Sequence, residues 1–158
     1  MFSFSQRKKL LEVQPQIVRL LDLTTPNLSK VNIGNTRAEK RFNRTLPTLI
    51  CPWEDGGPVI DECTSVLTSD FSDRGVGLVL SQPLHASGLV LGFWIRDAAM
   101  PEPFFFLGNQ TRLVPIGGGF WSIGVELTEF ANTRHGRALD ILMPEAERLL
   151  PQDLAASS

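Results

Sequence analysis

Histidine and cysteine are scarce in this chain, two of each in 158 residues, and no apolar stretch is long. Each shortage excludes something. His85 and His135 have no partner at metal-ligand or nucleophile spacing, so neither a zinc centre nor a histidine-activated nucleophile is written into the sequence. Cys51 and Cys63 show no CxxC spacing and no histidine cluster beside them. They read as two half-buried thiols in or beside strands, and in a reducing compartment a disulfide between them is not expected. No uninterrupted apolar run approaches the roughly 18–20 residues of a membrane helix. The N-terminus, MFSFSQRKKLLEV, is not patterned as a secretory signal: its charges follow the first apolar residues, and Glu12 and Pro15 interrupt what would be the apolar region. The expectation is a cytoplasmic protein without membrane insertion.

What is present suits a globular domain. Hydrophobic residues make up 42% and charged residues 20% of the chain, enough to build a core and keep it soluble. Net charge is only −2, but it is unevenly spread. Residues 1–44 hold nine Lys/Arg against three acids, a net of +6, and the remainder carries −8. A basic N-terminal third on an acidic body points either to an anionic partner for that third or to a solvated, self-complementary surface.

Apolar periodicity divides the chain. Residues 6–23 follow a helical period through Leu10, Leu11, Val13, Ile17, Val18, Leu20 and Leu21. Pro15 is expected to kink this segment or to start a second helix. Residues 24–36 are dense in turn formers and read as a connector. From about residue 46 come short strand-like runs: LPTLICPW, CTSVLTS, GVGLVLS, GLVLGFWIRD, PFFFLG, TRLVPI and FWSIGVELTEF. Their spacing favours a small antiparallel barrel or sandwich over alternating βαβ units. Gly117-Gly118-Gly119 reads as a hairpin turn. It lacks the Lys-Ser/Thr and the following helix of a phosphate-binding loop. Trp53, Trp94, Trp121 and the Phe104-Phe105-Phe106 run read as core and barrel-closing residues. After Phe130 helical spacing returns through Leu139, Leu142, Met143, Ala146, Leu149 and Leu150, with Pro144 as a second expected kink or restart.

No nucleophile, base and orienting group assemble, so the chain is not read as an enzyme. Two polar features remain. The first is the basic stretch Arg37-Ala38-Glu39-Lys40-Arg41-Phe42-Asn43-Arg44. Arginine offers a planar fork of donors that bonds phosphate oxygens in pairs or lies against a purine. The second is the turn DFSDRG, Asp70 to Gly75. Asp70 and Ser72 present side-chain oxygens at a strand end, and a carboxylate can accept from the N–H and NH₂ of a guanine edge. Gly75 permits a tight or positive-φ backbone and close approach of a ligand. Asp73 and Arg74 read as solvent-facing, and Phe71 as packed away from the site.

In these residues the chain resembles the PilZ domains, bacterial receptors for cyclic di-GMP. Their signature is RxxxR followed some 20–30 residues later by (D/N)xSxxG. Asp70, Ser72 and Gly75 match the second part at every specified position. Arg37 and Arg41 match the first part literally. The stretch EKRFNRTLP, Glu39 to Pro47, resembles the commoner family context, which pairs Lys40 with Arg44 and sets Arg41 beside them. That second register is preferred, although lysine does not reproduce the bidentate geometry of arginine. LVPIGGGFWSIGVEL, Leu113 to Leu127, looks like the late hairpin of a PilZ barrel, with its Gly-Val pattern at Ile123-Gly124-Val125.

The resemblance implies a mainly β fold: a six-stranded antiparallel barrel with flanking N- and C-terminal helices. The divisions expected are a helical segment and connector over 1–36, a barrel with its arginine arm over 37–131, and a C-terminal helix and tail over 132–158. It also implies binding of cyclic di-GMP by Arg37, Lys40, Arg41, Arg44, Asp70, Ser72 and Gly75, with no metal, no other cofactor and no catalysis. Binding would reposition the N-terminal segment or a downstream protein partner and so regulate motility, biofilm, exopolysaccharide or virulence. Three rival readings stand beside this one. The chain could be a PilZ-fold interaction module that does not bind the nucleotide. It could be a nucleic-acid binder using the arm around Phe42, against which the acidic barrel argues. It could be an enzyme acting on a nucleotide. The amphipathic ends could pack on their own barrel or on a second copy as a homodimer.

Overall fold

A computed structural model describes residues 4–24, 45–94 and 103–150. The elements run in the order α1 (Phe4–Thr24), β1 (Pro47–Glu54), β2 (Gly57–Pro58), β3 (Thr64–Phe71), β4 (Gly75–Leu80), β5 (Gly88–Trp94), β6 (Pro103–Gly117), β7 (Phe120–Phe130) and α2 (Gly136–Leu149). Short 3-10 turns at Ile60–Glu62 and Ala131–Thr133 link β2 to β3 and β7 to α2. The strands pair antiparallel in the order β1-β3-β4-β7-β6-β5, and β5 pairs back onto β1. The result is a closed six-stranded barrel, mainly β as expected, with β2 attached only to β1.

Strand alternation explains how one run of three phenylalanines is buried throughout. Successive side chains of a strand point to opposite faces. Phe104 and Phe106 enter the barrel core, and Phe105 enters a second cluster outside it. That second cluster also holds Leu49, Cys51 and Val90, with Leu139, Leu142 and Ala146 of α2. The helix thus roofs the outer face of β1, β5 and β6. Strands buried on both faces read as continuous apolar runs, which is why LIC and LVLGF lack polar alternation. By contrast β3, β4 and β7 keep a solvent-facing outer side. The location of any surface site is decided by this asymmetry.

The barrel interior is completed by α1. Val13, Ile17, Leu20 and Leu21 recur at helical spacing and join the same core cluster as Leu78, Phe93, Phe106 and Ile123. Each such side chain contributes about 1.5–3 kcal/mol on full burial. Leu11 and Val18, also expected on the apolar stripe, are exposed. The Arg19 guanidinium lies 4.9 Å from the centre of the Phe104 ring.

A polar clasp reinforces α1. Glu129 of β7 has a side chain only 7% exposed, and Lys9 Nζ lies 3.6 Å from its carboxylate. His135 Nε2 donates to the same carboxylate at 3.1 Å. Arg134 lies 3.9 Å from it and reaches Glu12 of α1 through both guanidinium nitrogens, at 3.1 and 2.6 Å. The hydrogen bond from Arg134 to Glu12 raises the guanidinium pKa above its ordinary value.

The structure corrects the sequence expectations at several points. Neither Pro15 nor Pro144 starts a new helix: α1 runs through 21 residues and α2 through 14. A proline deletes one backbone donor locally, and the buried stripe on either side outweighs that loss. PFFFLG and TRLVPI are not two strands but one, the 15-residue β6, which carries register shifts along its length. Trp121 is half-exposed and belongs to neither core cluster. Gly117, Gly118 and Gly119 do form the β6–β7 turn, all at positive φ, which only glycine adopts without strain. No helix among the described residues is long and apolar enough to cross a membrane.

Candidate functional site

The open outer face carries a groove of about 430 Å³. Its lining runs from the β3–β4 turn to the middle of the β6–β7 hairpin, and includes Asp70, Ser72, Asp73, Arg74, Arg112 and Glu126.

Register builds the floor. Asp70 of β3 lies opposite Gly77 of β4. Gly77 lies opposite Gly124 of β7, and Gly124 opposite Arg112 of β6. One row across four strands is therefore carboxylate, glycine, glycine, guanidinium. The glycines leave room for their neighbours. A Cβ added at Gly77 would collide with the Asp70 carboxylate and lie 2.7 Å from Ser69 Oγ. A Cβ at Gly124 would lie 2.9 Å from Thr111 Oγ1 and 3.0 Å from Arg112 Nε. Both polar side chains thus lie low over a floor without side chains.

Two bulges aim these residues. A register shift at Ser69 turns Asp70 onto the outer face while Phe71 enters the core against Phe93. Ser69 Oγ donates to Asp70 Oδ1 at 3.0 Å, which orients the carboxylate. A second shift at Thr111 lets Arg112 lie opposite Gly124.

The turn itself is tied down. Ser72 N–H donates to the Gly75 carbonyl at 2.9 Å, and Leu127 N–H of β7 donates to the Arg74 carbonyl at 2.6 Å. Gly75 is not in the positive-φ region, so of the two uses expected for it the tight backbone is the one observed. Its contribution is a missing Cβ, which would otherwise sit 2.9 Å from Ser72 Oγ. Asp73 and Arg74 are exposed, and they also line the groove.

Of the residues predicted from sequence, Asp70, Ser72 and Gly75 come together here. Arg37, Lys40, Arg41 and Arg44 lie outside the described residues. The start of β1 is nonetheless anchored beside the groove. Leu46 N–H donates to Thr68 Oγ1 at 2.8 Å, and Thr68 N–H returns a bond to the Leu46 carbonyl at 3.1 Å.

Arg112, Thr111, Gly77 and Glu126 were not singled out from the sequence. A plain count outward from the Gly117–Phe120 pair sets Leu113 opposite Gly124. The shift between Pro115 and Gly117 moves Arg112 there instead. Arg112 has no hydrogen-bond or ion-pair partner among the described residues. The charged lining consists of three carboxylates (Asp70, Asp73, Glu126) and two guanidiniums (Arg74, Arg112). Such a surface has acceptors for a base edge but too few cations to hold a polyanion alone. The described residues contain no group of three or more His, Cys, Asp or Glu side chains that could hold a metal ion.

Beside the glycine row lies an apolar one. Leu67, Val79, Ser122 and Val114 follow each other across the same four strands. Leu67, Val114, Ile116 and Phe120 are about half exposed.

The fold and site define a small closed β-barrel with a polar groove on its unroofed face. No sequence model of a known protein family matches the chain, and no curated protein matches it. Among solved structures it is similar to that of the Bacillus subtilis inhibitor of motility MotI/DgrA, with 17% identity and a TM-score of 0.47. That similarity covers 72% of this chain and 53% of the other, so this chain spans about half the length of that protein.

Proposed function

We propose that the protein is a PilZ-type receptor for cyclic di-GMP that acts by binding rather than by catalysis. The observation that carries the reading is the meeting of Asp70 and Ser72 over a glycine floor, next to the anchored start of β1. Arg44 stands two residues before Leu46 in the sequence, with Arg41 and Lys40 preceding it. These cations would supply the phosphate contacts that the acidic lining lacks. Asp70 accepts from a guanine edge, Ser72 bonds the base or its neighbours, and Arg112 contributes a second guanidinium from the far side. Repositioning of the N-terminal segment on binding is the conformational change that a downstream protein reads in regulating motility, biofilm, exopolysaccharide or virulence.

A second reading keeps the barrel as a protein-interaction module without the nucleotide. The exposed apolar side chains Leu67 and Val114 of that row, with Ile116 and Phe120 near the hairpin turn, favour it, because apolar surface adjoining a polar groove suits a protein partner.

Calorimetric titration of the full chain with cyclic di-GMP separates the two. Saturable binding that is lost in both Arg44→Ala and Asp70→Ala supports the receptor. Absence of binding heat under conditions where the chain is folded, with a captured partner lost in Val114→Asp, supports the module. Intact messenger after long incubation excludes turnover.

A further inference from the structure

Away from the groove, Cys51 and Cys63 meet beneath α2. Cys51 is fully buried in β1. The chain then turns through β2 and the Ile60–Glu62 turn, where Val59 N–H donates to the Pro52 carbonyl at 2.9 Å. Cys63, which follows that turn, returns its sulphur to 2.7 Å from Cys51 Sγ. The gap is smaller than the about 3.5–4.0 Å at which unbonded carbon atoms rest, and sulphur is the larger atom. The fold therefore places the two sulphurs side by side.

The two thiols are unequal. Cys63 is half-buried, and Cys51 is shut away. In the neutral pair the Cys51 S–H donates to the Val59 carbonyl at 3.0 Å. Once Cys63 ionises, that donor can turn to the thiolate. A bond from Cys51 lowers the Cys63 pKa from its ordinary value, against the opposing effects of burial and of Glu145, with Arg148 of α2 the smallest contribution, in favour of the ionised form. The same pairing, with burial, pushes the Cys51 thiol up. An accessible thiolate next to a protonated, buried thiol is the division of labour of an attacking and a resolving cysteine.

We propose that Cys51 and Cys63 form a hydroperoxide-reactive dithiol that closes reversibly to an intramolecular disulfide. The Cys63 thiolate attacks one peroxide oxygen, the O–O bond breaks, and the departing oxygen leaves as hydroxide, or as alkoxide from an organic peroxide. It takes up the proton that Cys63 released on ionising, to give water or an alcohol. Cys63 is then a sulfenic acid. The Cys51 sulphur attacks the Cys63 sulphur, the S–O bond breaks, and hydroxide leaves with the Cys51 proton as water. Two thiols are oxidised by two electrons and one peroxide is reduced. An external dithiol reverses the step by exchange. The closed form staples β1 to the start of β3 under α2, and it does not depend on the ligand proposed for the groove.

The test uses the reduced full chain. It is treated with hydrogen peroxide while folded, then denatured and alkylated with N-ethylmaleimide, and its intact mass is measured. The expected product is a monomer lighter by about 2 Da that takes no alkyl group, and that takes two after dithiothreitol. In Cys63→Ser, consumption of Cys51 by peroxide is expected to slow at least tenfold, roughly the effect of removing the only accessible thiolate. In Cys51→Ala, a sulfenic acid persists on Cys63 and is trapped by dimedone. If Cys51→Ala does not fold, the Cys63→Ser comparison decides, since position 63 is only half-buried. Two alkylated thiols after peroxide, disulfides only between chains, or a sulfinic acid on Cys63 with Cys51 still alkylated would each overturn the proposal.

Discussion

Asp70 and Arg112 stand at opposite ends of one cross-strand row, with only Gly77 and Gly124 between them. The two charged side chains rest over the glycines rather than beside them. A flat ligand laid across β4 and β7 would meet backbone below, an acceptor at one end and donors at the other.

The floor can be filled without disturbing the core. Gly124→Ala places a methyl group against Thr111 Oγ1 and the Nε and Cγ of Arg112, so both side chains must shift outward. The thermal midpoint is expected to change little. Affinity for cyclic di-GMP is expected to fall about tenfold, or about 1.4 kcal/mol. Calorimetry checks this, and unchanged affinity would mean that the ligand does not touch the floor.

Removing the ends of the row is expected to act on binding alone. Asp70→Ala, Arg44→Ala and Arg112→Ala should each weaken binding by roughly 1–3 kcal/mol, the range for losing a charge-assisted contact. If Arg112→Ala binds as tightly as the parent while the other two do not, the site is confined to the turn and the arm.

Stability should respond at Glu129. Its buried carboxylate faces Lys9, Arg134 and His135, and Glu129→Ala takes that partner from Lys9 and His135 while Arg134 keeps its bonds to Glu12. The cations left behind are partly solvated, so the loss is expected at about 1–3 kcal/mol, the range for removing a buried partner of charge-assisted bonds. Urea unfolding is the measurement. A loss under 1 kcal/mol, roughly the value of an exposed pair, would show that water replaces the carboxylate.

A third device is a pair of side-chain amides that imitate backbone. Asn132 Oδ1 accepts from Phe105 N–H at 2.8 Å and its Nδ2 donates to the Pro103 carbonyl at 2.7 Å. Gln110 Oε1 accepts from Ala86 N–H at 3.1 Å and its Nε2 donates to the Leu84 carbonyl at 2.7 Å. Asn132→Ala exposes two β6 groups at once and should cost roughly 1–3 kcal/mol. Hydrogen exchange at the Phe105 amide is expected to accelerate in that variant and to stay slow in Asn132→Gln only if the longer amide still reaches.

Strand composition and turn residues made the barrel legible, because doubly buried strands such as β5 leave an apolar run and the triple glycine leaves a turn. Asp70, Ser72 and Gly75 were legible because three positions at fixed spacing sit within one turn. Arg112 was not, because its place depends on a bulge between Pro115 and Gly117 that nothing local announces. A slip of one residue exchanges the two faces of a strand, so Leu113 and Arg112 trade core for groove on that single irregularity. Glu129 was missed for a related reason: its burial depends on α1, more than a hundred positions away in the chain, and contacts at that distance leave no periodic trace.

One strand, β7, contributes Gly124 and Glu126 to the groove and, five positions after Gly124, Glu129 to the clasp on α1. Two equilibria therefore share a single rigid part. If a docked α1 alters affinity at the groove by some factor, an occupied groove alters the docking of α1 by the same factor. The position of α1 then reports occupancy without α1 ever touching the bound molecule.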